Sequence, residues 1–250
     1  MKILIVDSNP PDLPIDDVRT FREVLQAVDP AMEITVINPY ADPAARPDLE
    51  GVDGVIFTGS GVDWGVDDPR AEPLRAVARA VFDARRPAYG SCNGMQLGAY
   101  MFGGAVGSSP NGREDGLARD IRLTDAGRDH PFLAGRRDGY AVPCVHRDEV
   151  TRLPQSAVLL AGNAHSPVQA FAYEQDGQRF WGVQYHPEIS PRLMATILPH
   201  VGDYPDAMCE AFRRAETDAG AARQLGAAPG DLQPDQRVTE IRNWLASLSA

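Results

Sequence analysis

Two short segments of this sequence hold residue types at spacings that could do covalent chemistry. The first is Gly90-Ser91-Cys92-Asn93-Gly94, a cysteine between glycines. The second is Tyr185-His186-Pro187-Glu188, a histidine two residues ahead of a carboxylate. A cysteine nucleophile needs a base, and the base needs an acceptor for its other ring nitrogen. Cys92, His186 and Glu188 supply the three parts, with Pro187 fixing the backbone between the last two. Flanking glycines let the chain turn sharply at the cysteine, so the thiol points into a cleft. A helix starting there puts its positive dipole end beneath the sulfur, which favours the thiolate. The free N–H groups of that first turn can also receive an oxyanion.

The other candidates carry less. Cys144 and Cys209 lack glycine-flanked turns and read as packing residues, His146 as a structural or rim residue, and His165 and His200 as surface or satisfied core histidines. Outside the triad, no pair of histidines, cysteines or carboxylates has ligand spacing, so neither a metal nor a cofactor is expected. There is no G-x-G-x-x-G or P-loop for a nucleotide. The polar segment 62–70, with Trp64, reads equally as a lid or partner surface and as an ordinary turn-rich loop.

The elements that must position these residues alternate in type. Residues 3–6 form an unbroken apolar run ending at Asp7, the pattern of a strand buried on both faces. Residues 17–28 place Val18, Phe21, Val24, Leu25 and Val28 at helical spacing. Further strands are predicted at 33–37, 52–57 and 87–89, and helices from Pro73 and over 95–101. Such repetition implies right-handed crossovers and a mostly parallel sheet, whose ligands bind beyond the carboxyl ends of the strands. The turns at 58–61 and 90–94 both fall there. Strands at 116–123, 157–161, 168–173 and 179–185 look more antiparallel, and a helix is predicted from Pro191. Two helical stretches follow residue 200, separated by the Gly/Pro-containing segment 225–234. The last, over 236–248, carries Val238, Ile241, Trp244, Leu245 and Leu248 on one face and is expected to dock on the main body.

The 250 residues fit one large domain, or one of roughly 200 residues with an appendage. A net charge of −11 argues against a phosphate-backbone partner, which needs clustered Lys and Arg. No apolar stretch approaches the roughly 20 residues that span a bilayer. The N-terminus reads as a first strand rather than a signal peptide. Three cysteines in no framework spacing suggest a reduced, cytoplasmic protein.

Four segments together resemble the class I, triad-type glutamine amidotransferases, particularly stand-alone domains similar to the glutaminase half of GMP synthase. Val55 to Gly61 (VIFTGSG) is similar to the family's strand and oxyanion turn, Gly90 to Leu97 (GSCNGMQL) to its nucleophile elbow, His146 to Pro154 (HRDEVTRLP) to the segment before the later strands, and Gly182 to Glu188 (GVQYHPE) to its histidine–glutamate motif. The likeness covers about residues 1 to 198. It implies a flavodoxin-like α/β unit, an open, mostly parallel sheet with helices on both faces, over 1–200, and a helical extension over 201–250 packed on it. It also implies that Cys92 attacks a glutamine side-chain amide while His186 relays a proton to the leaving ammonia. The oxyanion would lie between the backbone amides of Gly59 and Asn93, and Gln96, Ser60 and Gly61 would contact the substrate. Water would then release glutamate, and the ammonia would pass to a synthetase on another chain. Ser91 replaces a usual small apolar residue and Asn93 a usual aromatic or leucine. These departures keep open a self-sufficient hydrolase or transferase cleaving γ-glutamyl bonds in peptides or polyamine conjugates. A regulatory subunit without turnover is the reading that the intact triad argues against.

Overall fold

Strand β1 (Lys2–Val6) shows how this sequence builds two layers around a sheet. Side chains alternate along a strand, so its apolar run serves both faces. Ile3 and Ile5 pack with Phe21 and Leu25 of α1 (Asp17–Val28), while Leu4 and Val6 face Leu74, Val77 and Val81 of α2 (Glu72–Asp83). Each such side chain, taken fully out of water, contributes about 1.5–3 kcal/mol before chain entropy opposes it. The computed structural model describes residues 1–13 and 16–249.

The first half runs on through β2 (Glu33–Ile37), β3 (Gly54–Phe57), β4 (Ala88–Ser91) and α3 (Asn93–Met101). Next come β5 (Ala105–Ser108), β6 (Glu114–Leu123), α4 (Asp125–Asp129), β7 (Tyr140–His146), β8 (Asp148–Arg152), β9 (Val158–Gly162), β10 (Ala170–Gln175) and β11 (Gln178–Val183). The chain closes with α5 (Pro191–Val201), α6 (Asp206–Arg214), α7 (Ala219–Gln224), α8 (Pro234–Arg237) and α9 (Thr239–Ser247).

The main sheet has the order β2-β1-β3-β4-β11-β10-β9-β6-β7. From β2 to β11 neighbouring strands are parallel; from β11 onward they are antiparallel. Helices cover both faces, as the alternation predicts. Strands β5 and β8 pair separately into a small ribbon.

Three strands carry no simple sequence signal. β5 is short and small-residue (AVGS), β7 contains Pro143, and β8 reads as the polar run DEVTR. The strand predicted to reach residue 185 ends at Val183. Beyond it the backbone leaves the ladder: Gln184 N–H donates to Gln169 O at 2.9 Å, and His186 N–H to Pro143 O at 2.8 Å. The helix predicted over 236–248 is interrupted at Val238, giving α8 and α9.

The tail packs in two places. Helices α5, α6 and α7 share a cluster with Leu117, Ala141 and Ile189. Ile241, Trp244 and Leu245 of α9 instead join Ile3, Ile56 and Tyr89 beneath the main sheet.

Candidate active site

Sheet order brings the chemical segments together. β3, β4 and β11 are neighbouring parallel strands, so their carboxyl ends lie side by side. The Thr58–Gly61 turn follows β3, Cys92 follows β4, and the segment holding His186 and Glu188 follows β11. The Cys92 N–H donates to Val183 O at 2.8 Å, fixing the cysteine against the end of β11.

Cys92 sits between β4 and α3 with φ +50° and ψ −107°. A non-glycine residue rarely holds this conformation, and the surrounding structure must impose it. The glycines on either side make that possible by close approach. A Cβ at Gly90 would lie 2.5 Å from Gly94 O, and one at Gly94 would overlap the Phe57 carbonyl. The elbow therefore seats flat against β3, with the sulfur buried at the start of α3.

His186 and Glu188 are both buried, and Nδ1 lies 2.7 Å from Glu188 Oε1. His186 Nε2 is buried and has no hydrogen-bond partner of normal geometry among the described residues. Burial pushes this imidazole down, but Glu188 and the adjacent Cys92 together hold it well above the ordinary histidine value. The His186 imidazole is thus disposed to carry a proton. Ser91 Oγ lies 3.0 Å from each Glu188 oxygen, so the residue that departs from the usual small apolar type touches the carboxylate behind the His186 imidazole.

The turn after β3 is held from the N-terminal loop. Ser60 Oγ donates to Ser8 O at 2.7 Å and Gly61 N–H to Asn9 Oδ1 at 2.9 Å. The Ser60 hydroxyl and Gly61 amide thus shape the turn. The N–H groups of Gly59 and Asn93 donate to no acceptor among the described residues. Gly59 also passes close to the histidine: a Cβ there would be 2.7 Å from His186 Cε1 and 3.7 Å from Asp17 Oδ2.

That second carboxylate carried no sequence signal beyond its place at a helix start. Asp17 Oδ2 accepts from Asn9 Nδ2 at 3.0 Å. Burial raises its carboxyl to about 6, against the lowering effect of the His186 charge and the Asn9 bond.

Gln96, on α3, directs its amide nitrogen to Asp148 O at 2.7 Å and Gln184 Oε1 at 3.3 Å. Its own carbonyl oxygen has no protein partner among the described residues. Behind Cys92 lies a second group, in which the donor atoms of Glu114, Cys144 and His146 are within 4.8 Å of one another. Glu114 Oε2 accepts from His146 Nε2 at 3.0 Å, Gln169 Nε2 at 2.7 Å and the Cys144 thiol at 3.7 Å. Sequence spacing could not show this meeting, because 30 residues separate Glu114 from Cys144.

The tail reaches the site too. Arg237 donates to Pro187 O inside the His-Pro-Glu segment. The buried pair Arg136–Glu240, at 2.7 Å, receives the Tyr185 hydroxyl on Glu240 Oε1 at 2.8 Å.

Residues 21–200 match the family model described as glutamine amidotransferase class-I. A γ-glutamyl-L-1-hydroxyisopropylamide hydrolase from a Pseudomonas species is 37% identical over 147 residues, covering 57% of this chain and 49% of that protein. A glutamine-hydrolyzing GMP synthase from Symbiobacterium thermophilum is 36% identical over 154 residues, covering 61% of this chain and 28% of that protein. Gamma-glutamyl peptidase 5 of Arabidopsis thaliana is 29% identical over 179 residues, covering 68% and 70%. The chain thus spans about half the length of the first of these relatives and little more than a quarter of the second. The crystal structure of a glutamine amidotransferase from Thermotoga maritima superposes with a TM-score of 0.68 at 18% identity, over 99% of this chain and 97% of that one. This likeness supports the flavodoxin-like fold.

Proposed function

Since the chain belongs to the class I glutamine amidotransferase family, we propose that it hydrolyses a γ-glutamyl amide through a thioester on Cys92. The observation that carries this reading is the buried, unpartnered Nε2 of His186, held by Glu188 on the other nitrogen and lying beside Cys92.

The Cys92 thiolate attacks the γ-carbonyl carbon, and the carbonyl π pair moves onto oxygen. The N–H groups of Gly59 and Asn93 receive that oxyanion. His186 gives its Nε2 proton to the leaving nitrogen, the C–N bond breaks, and the amine departs. Water then attacks the thioester while His186 takes its proton. The C–S bond breaks, glutamate leaves, and the thiolate–imidazolium pair is restored. With both hydrogens of the Gln96 amide engaged by protein, Gln96 Oε1 is the group it offers to a substrate ammonium. Ser60 and Gly61 contribute by holding the oxyanion turn.

In the first reading the amide is glutamine, and the ammonia goes to a synthetase on another chain. That reading draws on the similarity to GMP synthases. In the second the chain itself releases a larger amine, a reading that the resemblance to a γ-glutamyl-amide hydrolase and a γ-glutamyl peptidase favours. Residues 201–250, beyond the family match, are an extension of the catalytic unit. Through Arg237 they brace the turn that carries His186 and Glu188.

Glutamate release from glutamine and from a panel of γ-glutamyl amides and peptides tests the proposal, with Cys92→Ala alongside. The expected result is release that depends on Cys92. Release of glutamate from peptides by the chain alone selects the second reading; release from glutamine that needs an added synthetase selects the first. Equal release by Cys92→Ala and wild type overturns both.

A further inference from the structure

Cys92 has a hydrogen-bond donor that the three-residue mechanism does not use. Gln184 Nε2 lies 3.6 Å from the Cys92 sulfur, an ordinary distance for N–H donation to sulfur. Gln184 is fully buried and lies just past the end of β11, two residues before His186. A carboxamide can flip, and only one orientation presents the nitrogen to sulfur. Here the other end of the group fixes the orientation: Gln184 Oε1 accepts from Gln96 Nε2 at 3.3 Å.

Gln96 is oriented in turn. Its second amide hydrogen goes to Asp148 O at 2.7 Å, a carbonyl that can only accept. His146 Nδ1 lies 3.1 Å from the same oxygen. His146 Nε2 lies 3.0 Å from Glu114, and that carboxylate is also held by Gln169 and Asn163. The Gln96 and Gln184 links therefore each have one consistent donor direction. Reversing the Gln184 amide would set oxygen against sulfur and nitrogen against the Gln96 donor.

The geometry points to Gln184 as a positioning residue that donates to the Cys92 thiolate, held in its active orientation by a relay from the Asp148 carbonyl through Gln96. This inference rests on Cys92 being the nucleophile. It assigns to Gln96 the task of orienting a second donor to the sulfur. An N–H donor stabilises a thiolate more than a thiol, because a hydrogen bond to a charged acceptor is the stronger. Without it, the reactive form is reached only at higher pH.

The test measures iodoacetamide alkylation of Cys92 against pH, in a Cys144→Ala/Cys209→Ala background so that one thiol reports. Gln184→Met keeps the volume and removes the donor. It is expected to slow alkylation at pH 7 about tenfold and to move the alkylation profile to higher pH, with a matching fall in kcat and little change in KM. Gln96→Met acts two links away and is expected to slow alkylation severalfold. The double variant is expected to be no slower than Gln184→Met, since the relay has one output. Wild-type alkylation in folded Gln184→Met overturns the proposal, and so does additivity in the double variant. If Gln184→Met fails to fold, Gln96→Met decides alone, and an unchanged profile in that variant overturns the relay. The underlying mechanism fails separately: turnover would then survive Cys92→Ala whatever Gln184 does.

Discussion

The molecule contains two buried groups of the same three residue types. One is Cys92 with His186 and Glu188; the other is Cys144 with His146 and Glu114. Their histidine–carboxylate distances are close, 2.7 Å and 3.0 Å. What differs is what is left free. His186 keeps Nε2 unpartnered, whereas both ring nitrogens of His146 already face acceptors. Cys92 stands in a forced turn at a helix start, while Cys144 lies inside strand β7. Burial and then the Glu114 charge push the Cys144 thiol well up, which keeps it neutral. Under the proposed function, identical residue types serve as a reactive centre in one place and as a scaffold in the other. Backbone strain and one uncommitted nitrogen separate them.

Replacing the cysteines breaks the comparison most sharply. Cys92→Ala is expected to lower kcat at least about 10⁴-fold, because no other residue can form the acyl bond. Cys144→Ala is expected to stay within about threefold of wild type. Its cost is a lost packing and S–H contact, read as a drop of about 1–2 kcal/mol in chemical denaturation. A large kcat loss in Cys144→Ala with a normal melting temperature would mean that the second group enters the chemistry.

The carboxylates offer the next contrast. Glu188→Gln should reduce kcat about 10³-fold by misorienting the His186 ring, with stability little changed. Glu114→Gln should instead lose about 1–3 kcal/mol at pH 7, because an amide nitrogen would meet donors that now point at a carboxylate. Burial raises Glu114, but its donors outweigh this and hold it below the ordinary 4.5. A lowered carboxylate stabilises the fold above its unfolded value, and that stabilisation is lost as pH falls below it. The gap between wild type and Glu114→Gln should therefore narrow below about pH 4.5. A gap that widened there would contradict this account.

The parts of the first group that are adjacent in sequence were legible there. Gly90 to Gly94 announced the sharp turn at Cys92, and the His-Pro-Glu spacing announced a histidine with a carboxylate at its Nδ1. The apolar run at 3–6 and the helical face of 17–28 announced the layers, because each pattern is a local consequence of burial. The second group was not legible. Glu114, Cys144 and Gln169 meet only through the antiparallel pairing of β6 with β7 and the return of the chain after β9. Strand β7, with Pro143 inside it, did not read as a strand. Nor did Asp17 or Arg237 carry a mark, since burial beside a charge is a tertiary fact.

Asp17 sharpens the contrast between the two histidines. A point one methyl away from His186 Cε1 also touches Asp17 Oδ2, so a second carboxylate lies along the His186 ring. Its carboxyl is raised from 3.8 to about 6, chiefly by burial. A raised carboxyl works against folding once ionised: the cost develops as pH rises from 3.8 to about 6 and is complete above it. Asp17→Asn is therefore expected to be more stable than wild type at pH 7.5, by about 1–2 kcal/mol after allowing for its partial exposure, and no more stable near pH 4. The same change should lower kcat a few fold, since it removes negative charge beside the imidazolium. Destabilisation at pH 7.5 would mean that the Asn9 bond outweighs burial.

The smallest expected effect concerns Ser91, which sets the first carboxylate apart from the second. Glu114 is surrounded by fixed donors, whereas Glu188 Oε2 has Ser91 Oγ at 3.0 Å as its hydrogen-bond donor among the described residues. That hydroxyl has one hydrogen, and Tyr185 O at 3.2 Å competes for it. Ser91→Ala should fold normally, because the position is fully buried and alanine fits where serine does. It should lower kcat about threefold to tenfold with KM unchanged, as the Glu188 carboxylate loses one of the contacts that aim it at His186. Ser91→Cys, which keeps a weak donor, should fall between wild type and alanine. If Ser91→Ala matches wild type, Glu188 is aimed by His186 alone, and the two carboxylates differ in how firmly they are held as well as in what they hold.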